Sequence, residues 1–427
     1  MTPVRVVVLG AGVVGLATAY YLRRDGHEVI IVDRNDGVAL ETSYANGAQL
    51  AYSYVAPLAG PGVLPKIPPW LLRRDSPLRF YPALDARQWS WLWAFILACN
   101  RRQSEVTTRR MLALSFYSRD LMRTLLAEEG IEFGHARKGK LVVHSDEAGF
   151  EAARRLVDYQ RSLGCEQSAL TREECLALEP ALGASGSALG TRLVGGIFTP
   201  SEEVGDCYRF CVGLEHRLEA MGVELRLATQ VEALVAEGGR VVRALASGGP
   251  IDADAFVVAA GTLSPLLTAP LGIRLPIYPL KGYSLTLPVK ASAPSVSVTD
   301  FTRKVVYAPL TTPAGAALRV AGMADIAGYA LRPDPVRVSQ LVAEARAAFP
   351  SATDYDVPVE RLQPWTGLRP ATPEGAPRLG PTRVANLFVN AGHGPLGWTL
   401  ALGSGRVVAD TVAGRTPAVP LEGFRPD

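Results

Sequence analysis

The sequence predicts an α/β fold built on a parallel sheet whose strands lie at both ends and in the middle of the chain. Three observations predict it. An apolar run, a glycine-rich turn and a helix-like segment follow one another between Val4 and Arg24. A second buried run, DAFVVAAG, ends in glycine at residue 261. Near the C-terminus, NLFVNAGHGPLGWTLALGSG repeats the order of strand, glycine turn and helix. Continuous apolar runs of this kind are typical of strands that are buried on both faces.

Composition and charge narrow the class of protein. The 427 residues suffice for two domains, and 48% of them are hydrophobic, which disfavours disorder. A net charge of +3 without a basic tail disfavours nucleic acid as a partner. The five cysteines are scattered and form no CxxC pair, so we expect no metal site, no disulfide framework and a reducing cytoplasm. The N-terminal apolar run is interpreted as a strand rather than an export signal, because glycines interrupt it.

The first glycine turn has the spacing of a dinucleotide-binding loop. Gly10 permits a tight turn from strand to helix, and Gly12 allows the backbone to approach a pyrophosphate. Gly15 allows the helix and the strand to pack closely. The helix N-terminus offers free N–H groups to the phosphates. Asp33 closes the next apolar run, about 20 residues further on, where it can accept hydrogen bonds from ribose hydroxyls.

Two further segments favour FAD over NAD. An NAD domain normally continues through short strand–helix units, whereas here the polar ETSYANGAQL follows, which suits a second phosphate or a flavin edge. A polar surface loop is the alternative. The C-terminal glycine turn can bring N–H groups to a flavin carbonyl, or it simply starts a helix. The expected cofactor-binding residues are Gly10, Gly12, Val13, Val14, Gly15, Asp33, Arg34, Thr42, Ser43, Asn46, Gly47, Gln49, Val231, Ala260, Gly261, Gly394, Pro395, Leu396, Gly397, Trp398 and Thr399.

The chain resembles the D-amino-acid-oxidase superfamily of flavoproteins. Besides VVVLGAGVVGLATAYYL, the matching segments are ETSYANGAQL, YPLKGYSLTL, VAGMADIAGY, WTGLRPATPEGAPRLG and NAGHGPLGWTLALGSG, in the order of the family and over nearly the whole chain. The resemblance implies FAD and the oxidation of an amino acid to an imino acid, which water converts to a 2-oxo acid and ammonia. Relatives that tether FAD use a cysteine in the C-terminal third. This chain has none after Cys211, so we expect non-covalent FAD.

The resemblance also assigns the substrate anchor. The superfamily's substrate-binding arginine lies in a G-[LF]-R-P turn, which here is Gly367 to Pro370. Arg369 is therefore the expected partner of the substrate carboxylate, because a guanidinium binds a carboxylate through two parallel hydrogen bonds. A surface charge is the alternative for an arginine in a loop.

Other candidates around the substrate have plainer alternatives. We expect Tyr307 to be a second substrate contact, although a core aromatic residue fits as well. Tyr52 and Tyr54 follow the flavin loop and are expected to line the pocket. His393 is expected to position the flavin or substrate rather than to act as a base. Lys281 and Gly282 resemble a stretch close to the flavin in the superfamily, with a solvated lysine as the alternative.

Two domains are expected. Residues 1–56, 199–275 and 366–427 would form a discontinuous Rossmann-like FAD-binding domain, and residues 57–198 and 276–365 an α+β substrate (cap) domain with a mixed or antiparallel sheet. The expected function is oxidative deamination of D-amino acids, with electrons passed to a quinone or another carrier. The alternatives are an oxygen-using oxidase, a dehydrogenase of D-hydroxyproline or secondary amines, a non-catalytic flavin-bearing partner subunit, and an NAD-dependent dehydrogenase.

Residues 70–102 predict peripheral contact with the inner face of the cell membrane, and access for a quinone there. Tryptophan favours the membrane interface and arginine favours anionic headgroups. The apolar core of the stretch is shorter than the roughly 18–20 residues that span a bilayer. A helix buried under the cap domain is the alternative. The residues concerned are Trp70, Arg73, Arg74, Trp89, Trp91, Trp93, Phe95, Ile96, Arg101 and Arg102.

Overall fold

The computed structural model describes residues 3–67, 76–290 and 292–426. Its strands are β1 (Arg5–Leu9), β2 (Glu28–Val32), β3 (Gln49–Leu50), β4 (Leu78–Phe80), β5 (Lys140–His144), β6 (Ser168–Thr171), β7 (Gly195–Thr199), β8 (Glu203–Val204), β9 (Glu224–Arg226), β10 (Val231–Glu237), β11 (Arg240–Ala246), β12 (Gly249–Asp252), β13 (Ala255–Val258), β14 (Tyr278–Pro288), β15 (Ser297–Asp300), β16 (Val305–Thr312), β17 (Gly315–Ile326), β18 (Trp365–Ala371), β19 (Arg378–Pro381) and β20 (Leu387–Ala391). Its helices are α1 (Val13–Arg24), α2 (Ala86–Ala98), α3 (Arg101–Glu129), α4 (Glu147–Ser162), α5 (Arg172–Leu178), α6 (Ala188–Arg192), α7 (Cys207–Ala220), α8 (Ser264–Thr268), α9 (Pro335–Ala348) and α10 (Gly397–Val412). Short 3₁₀ turns lie at Leu64–Lys66, Pro180–Gly183, Gly261–Leu263, Ala269–Leu271, Val359–Leu362 and Gly394–Leu396.

The first sheet has the order β19-β20-β13-β1-β2-β9, and its strands come from both ends and the middle of the chain. It is parallel apart from the edge pair of β19 and β20. Alternate side chains of β1 serve two cores, as the strand period of two requires. Val6 and Val8 pack with α1, α7 and α10, whereas Val7 and Leu9 face the β10–β12 layer. The predicted discontinuous α/β sheet is therefore confirmed.

The second sheet has the order β18-β14-β17-β16-β15-β5-β7-β6, with β4 beside β17. It is mixed, because most pairs are antiparallel while β15 pairs with β5 and β17 with β4 in parallel. Helix α9 packs against one face, where Leu341 and Phe349 join Leu285, Leu318 and Val320 in the core. The other face carries the hydrogen bonds to the first domain that are described below. The predicted substrate sheet of mixed type is confirmed.

Two segments lie on the other side of the expected domain boundaries. Helix α3 was assigned to the cap domain from its sequence position, but Met111, Leu114 and Met122 are buried with α1 and α10 in the first core. A Cβ on Gly403 of α10 would lie 2.8 Å from the Leu114 carbonyl oxygen, so a glycine permits this close helix contact. Strand β18 begins at Trp365 and pairs with β14 along its length, so the boundary at residue 366 cuts through a strand of the second sheet.

Across the described ranges, no helix combines the length and the apolar character needed to cross a bilayer.

Candidate active site

The turn between β1 and α1 has the geometry that close approach of a phosphate requires. Gly10 has a φ of +117°, and a Cβ there would lie 2.5 Å from the carbonyl oxygen of Ala259. A Cβ on Gly15 would overlap the carbonyl oxygen of Gly10, so α1 packs directly on the turn. A Cβ on Gly12 would lie 3.6 Å from Ser43 Oγ and otherwise point into open space. The backbone beside the helix N-terminus is therefore accessible to an anion.

Asp33 follows β2 and is fixed beside this turn. Its Oδ2 accepts the N–H of Ala11 at 2.7 Å, and its Oδ1 accepts the N–H of Asn35 at 2.9 Å. A ribose would lie here if its pyrophosphate lay over the glycine turn. Arg34 lines the same cleft and donates to Glu41 at 2.7 Å.

The polar segment that follows connects the glycine turn to the second sheet. Ser43 Oγ accepts the N–H of Val13, the first residue of α1, at 3.2 Å. Thr42 Oγ1 donates to the carbonyl oxygen of Leu368 in β18 at 2.8 Å. The segment thereby fixes the distance between the phosphate turn and the strand that carries the expected substrate anchor.

His393 lies in the turn between β20 and α10 and is hydrogen-bonded to that helix. Its Nε2 lies 3.0 Å from Ser404 Oγ. Burial lowers the pKa of His393 to about 3, so the ring is neutral at neutral pH. A neutral, fixed ring supports a positioning role, which stays a prediction.

The buried neutral His393 is expected to make stability depend on pH. Its pKa falls from 6.5 to about 3 on folding, so the unfolded chain takes up the proton first as the pH falls. Above about pH 6.5 the histidine is neutral in both states and its ionisation does not affect the free energy of unfolding. Between pH 6.5 and pH 3 only the unfolded chain takes up the proton, so the free energy of unfolding falls with pH. At pH 5 the loss is about 2 kcal/mol. Urea unfolding at pH 7.5 and pH 5 should show a smaller loss for His393→Gln than for wild type.

The exposed His216 provides the control for this measurement. His216→Gln should keep the pH dependence of the wild type. An equal loss of unfolding free energy in wild type and His393→Gln would contradict a neutral His393.

A pair of glycines forms a floor at the other end of the cleft. Gly282 of β14 lies directly opposite Gly367 of β18, so this row of the cleft-facing side of the sheet has no side chains. The guanidinium of Arg369 lies over Gly282, where a Cβ would overlap it. The indole of Trp365 lies over Gly367, where a Cβ would overlap the ring. We call Gly282 and Gly367 the glycine floor.

Arg369 is held by the backbone and keeps its charge. Its Nη1 donates to the carbonyl oxygen of Met323 at 2.9 Å. Met323 has a φ of +60°, uncommon for a residue with a side chain, and lies where the pairing of β14 and β17 shifts register. Burial lowers the pKa of Arg369 to about 10, although Asp325 raises it, so the group is cationic at neutral pH. Asp325 pairs with Arg337 at 2.7 Å, which leaves the charge of Arg369 available to a carboxylate.

One cleft of about 560 Å³ joins these features. Its size is in the range of small-molecule and cofactor sites. The expected residues that line it are Gly10, Gly12, Val13, Val14, Asp33, Arg34, Thr42, Ser43, Asn46, Gly47, Val231, Ala260, Gly261, Gly282, Arg369, His393, Gly394, Pro395, Gly397 and Trp398. The cleft is also lined by Trp365, Ser284 and Ala321, which the sequence did not single out.

A family model described as FAD dependent oxidoreductase matches residues 5–411. The chain belongs to this family of FAD-dependent oxidoreductases. The structure fits the cofactor, because the backbone beside Gly12 is open to a pyrophosphate and Asp33 is fixed beside it. The predicted family and the predicted FAD are thereby confirmed.

Similar proteins cover nearly the whole chain. D-amino acid dehydrogenase 2 of Ralstonia nicotianae is 51% identical over 423 residues, which are 97% of this chain and 98% of the relative. D-amino acid dehydrogenase of Paramagnetospirillum magneticum is 46% identical over 423 residues, 98% of this chain and 97% of the relative. The crystal structure of glycine oxidase from Geobacillus kaustophilus has a TM-score of 0.78 at 22% identity, and covers 100% of this chain and 99% of that chain. The structural match shows that the fold is shared.

Tyr307 does not line the cleft of this FAD-dependent oxidoreductase, so its assignment as a substrate contact was wrong. Its hydroxyl donates to the carbonyl oxygen of Glu344 at 3.3 Å, and its ring packs edge-on against Phe349 with centroids 5.0 Å apart. Its neighbour Val306 packs on the opposite side of β16, with Ala308. Side chains alternate along a strand, so a shift of one residue exchanges the core face for the cleft face.

Tyr52 and Tyr54 also lie outside the lining of the cleft, contrary to expectation. Tyr52 is fully buried, and its hydroxyl donates to Glu203 Oε2 at 3.3 Å. The ring of Tyr54 lies 3.9 Å from Lys140 Nζ. Tyr52 therefore belongs to the first core, and Tyr54 contacts β5 of the second sheet rather than the substrate site.

The remaining expected residues do not line the cleft and make contacts elsewhere. Gln49 is hydrogen-bonded to side chains of β5 and β15, and Thr399 Oγ1 accepts the N–H of Ala51 at 3.1 Å. Leu396 packs against the first core. Lys281 Nζ donates to the carbonyl oxygen of Arg332 and does not line the cleft. Gly15 packs closely against Gly10 and does not line the cleft.

Proposed function

We propose that this protein is a D-amino acid dehydrogenase that oxidises D-amino acids to imino acids, which water converts to 2-oxo acids and ammonia. The observation that carries the proposal is the half-buried Arg369 guanidinium, which lies on the glycine floor in the same cleft as the FAD-binding turns. A cation that lines a cleft in this way suits the carboxylate of an α-amino acid. The names of relatives that are 46–51% identical support the D-configuration. Electrons then pass to a quinone or another carrier.

The residues of the site bind and orient the substrate. The glycine turns that line the cleft would hold FAD, which would supply a hydride acceptor for the substrate Cα. Arg369 fixes the plane of the carboxylate, and the Met323 carbonyl fixes Arg369. His393 stays neutral and is hydrogen-bonded through Nε2 to Ser404, so we assign it to holding the C-terminal turn rather than to removing a substrate proton. None of the residues lining the cleft is a cysteine, which supports the expectation of non-covalent FAD.

A turnover panel tests this function. Purified holoenzyme is given D- and L-amino acids, once with an artificial dye and once with oxygen as acceptor. The proposal requires turnover of D-amino acids with the dye, and release of intact FAD into the supernatant on acid denaturation. Turnover of L-amino acids only, or of none, would contradict it. Equal turnover with oxygen would instead favour the oxidase.

Helix α2 supports a second proposal, peripheral contact with an anionic membrane at the inner face of the cell. Its large exposed apolar side chains are spaced as one helical face. They are Trp89, Trp93, Ile96 and Leu97, which are 51%, 63%, 41% and 62% exposed. Arg101 and Arg102 are exposed at the start of α3 and supply positive charge beside this face. We name Trp89, Trp93, Ile96 and Leu97 the apolar face of α2.

Part of the expected membrane stretch lies elsewhere. Trp91 and Phe95 are buried, and Trp91 Nε1 donates to the carbonyl oxygen of Ala371 at 2.8 Å, so these two aromatic residues belong to the core. Trp70, Arg73 and Arg74 lie outside the described residues.

The apolar face of α2 is expected to bind vesicles. The wild-type holoenzyme should co-sediment with phosphatidylglycerol vesicles at low salt, because tryptophan favours the interface and arginine the anionic headgroups. The double variant Trp89→Ser, Trp93→Ser should remain in the supernatant. Leu156→Ser, at a leucine of α4 that is 54% exposed, is the matched control and should sediment like wild type. A wild type that stays in the supernatant would overturn the proposal.

A further inference from the structure

We propose that Trp365 limits the size of the substrate side chain that the cleft accepts. The inference rests on the proposed oxidation of D-amino acids and names the residue that selects among them. It follows from the pairing of β14 and β18, from the position of the indole on the glycine floor, and from the geometry that a bound carboxylate imposes.

The pairing of the two strands defines three rows on the cleft-facing side. Arg369 lies opposite Leu280, and Gly367 lies opposite Gly282. In the third row Trp365 lies opposite Ser284. Positions 365, 367 and 369 lie on the same face of β18, because side chains alternate between the two faces of a strand.

The indole and the guanidinium both bend over the middle row. The overlap of each with a Cβ on its glycine places the ring over Gly367 and the guanidinium over Gly282. Side-chain positions that are directly paired across two strands are about 4.5–5.5 Å apart. The indole of Trp365 therefore lies beside the cation, and both residues line the cleft.

The backbone at Trp365 and after it is fixed. Thr366 Oγ1 donates to the carbonyl oxygen of Leu331, and β18 pairs with β14 from Trp365 onwards. The indole also cannot sink further, because Gly367 lies directly beneath it. A wall held in this way has little freedom to move aside for a larger ligand.

A carboxylate bound to Arg369 brings the substrate Cα next to this wall. The substituents of Cα then project either toward the flavin side of the cleft or along the glycine floor, where the indole is. A substrate side chain that extends along the floor meets the ring after a short distance. Trp365 thus excludes bulky side chains by steric contact, which is selection against the wrong substrate rather than attraction of the right one.

The test compares two substrates on the same enzyme. Trp365→Ala should raise the ratio of kcat/KM for D-phenylalanine to that for D-alanine by about 10-fold or more, the scale of discrimination by pocket size. Trp365→Phe should raise it less. The ratio is independent of the fraction of folded, flavin-loaded enzyme, so a merely structural role would leave it unchanged. An unchanged or lower ratio for Trp365→Ala would overturn the proposal.

Gly367→Ala provides a second, independent variant. Its Cβ would displace the indole, so the ratio should change when Trp365 is present. In the Trp365→Ala background the same substitution should have no further effect on the ratio, because the overlapping ring is gone. An equal effect in both backgrounds would show that Gly367 acts without the indole. It would contradict the proposed position of the indole over Gly367.

The failure of the proposed function is recognised separately. If wild type oxidises none of the D-amino acids, that function is wrong, and the wall is tested by binding alone. Titration of the holoenzyme with acetate and with benzoate, followed by flavin absorbance, gives the affinity for a small and a bulky carboxylate. Trp365→Ala should strengthen benzoate binding relative to acetate binding by about 10-fold. An unchanged ratio of the two affinities would overturn the inference on its own.

Discussion

Replacing Arg369 with alanine is expected to abolish most turnover while FAD stays bound. A charge-assisted hydrogen bond in a buried site contributes about 1.5–3 kcal/mol, so its loss alone lowers kcat/KM about 10- to 150-fold. Misplacement of the substrate Cα adds to this loss, because small errors near the reacting atom are costly. Arg369→Lys should rescue little, since an ammonium group keeps the charge but cannot hold the carboxylate plane.

The measurement compares a D-amino acid with the corresponding amine that lacks the carboxylate. Wild type should prefer the acid strongly, and Arg369→Ala should prefer neither. Arg361→Ala removes an exposed arginine eight positions earlier and serves as the matched control, with wild-type kinetics expected. If Arg369→Ala keeps the discrimination of wild type, the carboxylate is bound elsewhere.

Gly282→Ala is expected to have the second largest effect, although the added group is one methyl. Its Cβ would overlap the Arg369 guanidinium, which must then leave its position on the glycine floor. We expect a loss of about 100-fold in kcat/KM, the cost of misplacing a positioning group by about 1 Å. FAD content should stay at the wild-type level, because the phosphate turn lies at the other end of the cleft.

Two controls make this prediction specific. Gly248→Ala adds a methyl group where no neighbouring atom lies within 4 Å, and should leave kcat/KM unchanged. In the Arg369→Ala background, Gly282→Ala should cost little more, since the group it displaces is already missing. Wild-type kinetics for Gly282→Ala, or fully additive losses in the double variant, would contradict the role of the floor.

Local features of the site could be predicted from sequence because they depend on local spacing. The roles of Gly10, Gly12 and Asp33 follow from their positions within one strand–turn–helix unit. Arg369, which lines the cleft, could be singled out because its motif is contiguous in the chain. The glycine floor could not be found in this way, since Gly282 and Gly367 are brought together by the register of two strands that are distant in sequence.

The errors have the same origin. Tyr307 lies on the face of β16 that is turned away from the cleft. Which residues of β16 lie on which face depends on the neighbours of this strand in the folded sheet. Helix α3 looked like part of the cap domain, but its packing partners α1 and α10 come from the chain ends. In α2 both faces carry aromatic side chains, so the sequence did not show that Trp91 and Phe95 are the buried ones.

The central claim is that this cleft holds a D-amino acid by its carboxylate beside FAD, and anaerobic reduction of the flavin tests it most directly. Holoenzyme is mixed without oxygen or dye with D-alanine or L-alanine, and flavin absorbance is followed. The account predicts rapid bleaching by D-alanine, little by L-alanine, and loss of the D-alanine reaction in Arg369→Ala. Bleaching by L-alanine alone, or an unchanged reaction with D-alanine in Arg369→Ala, would contradict it.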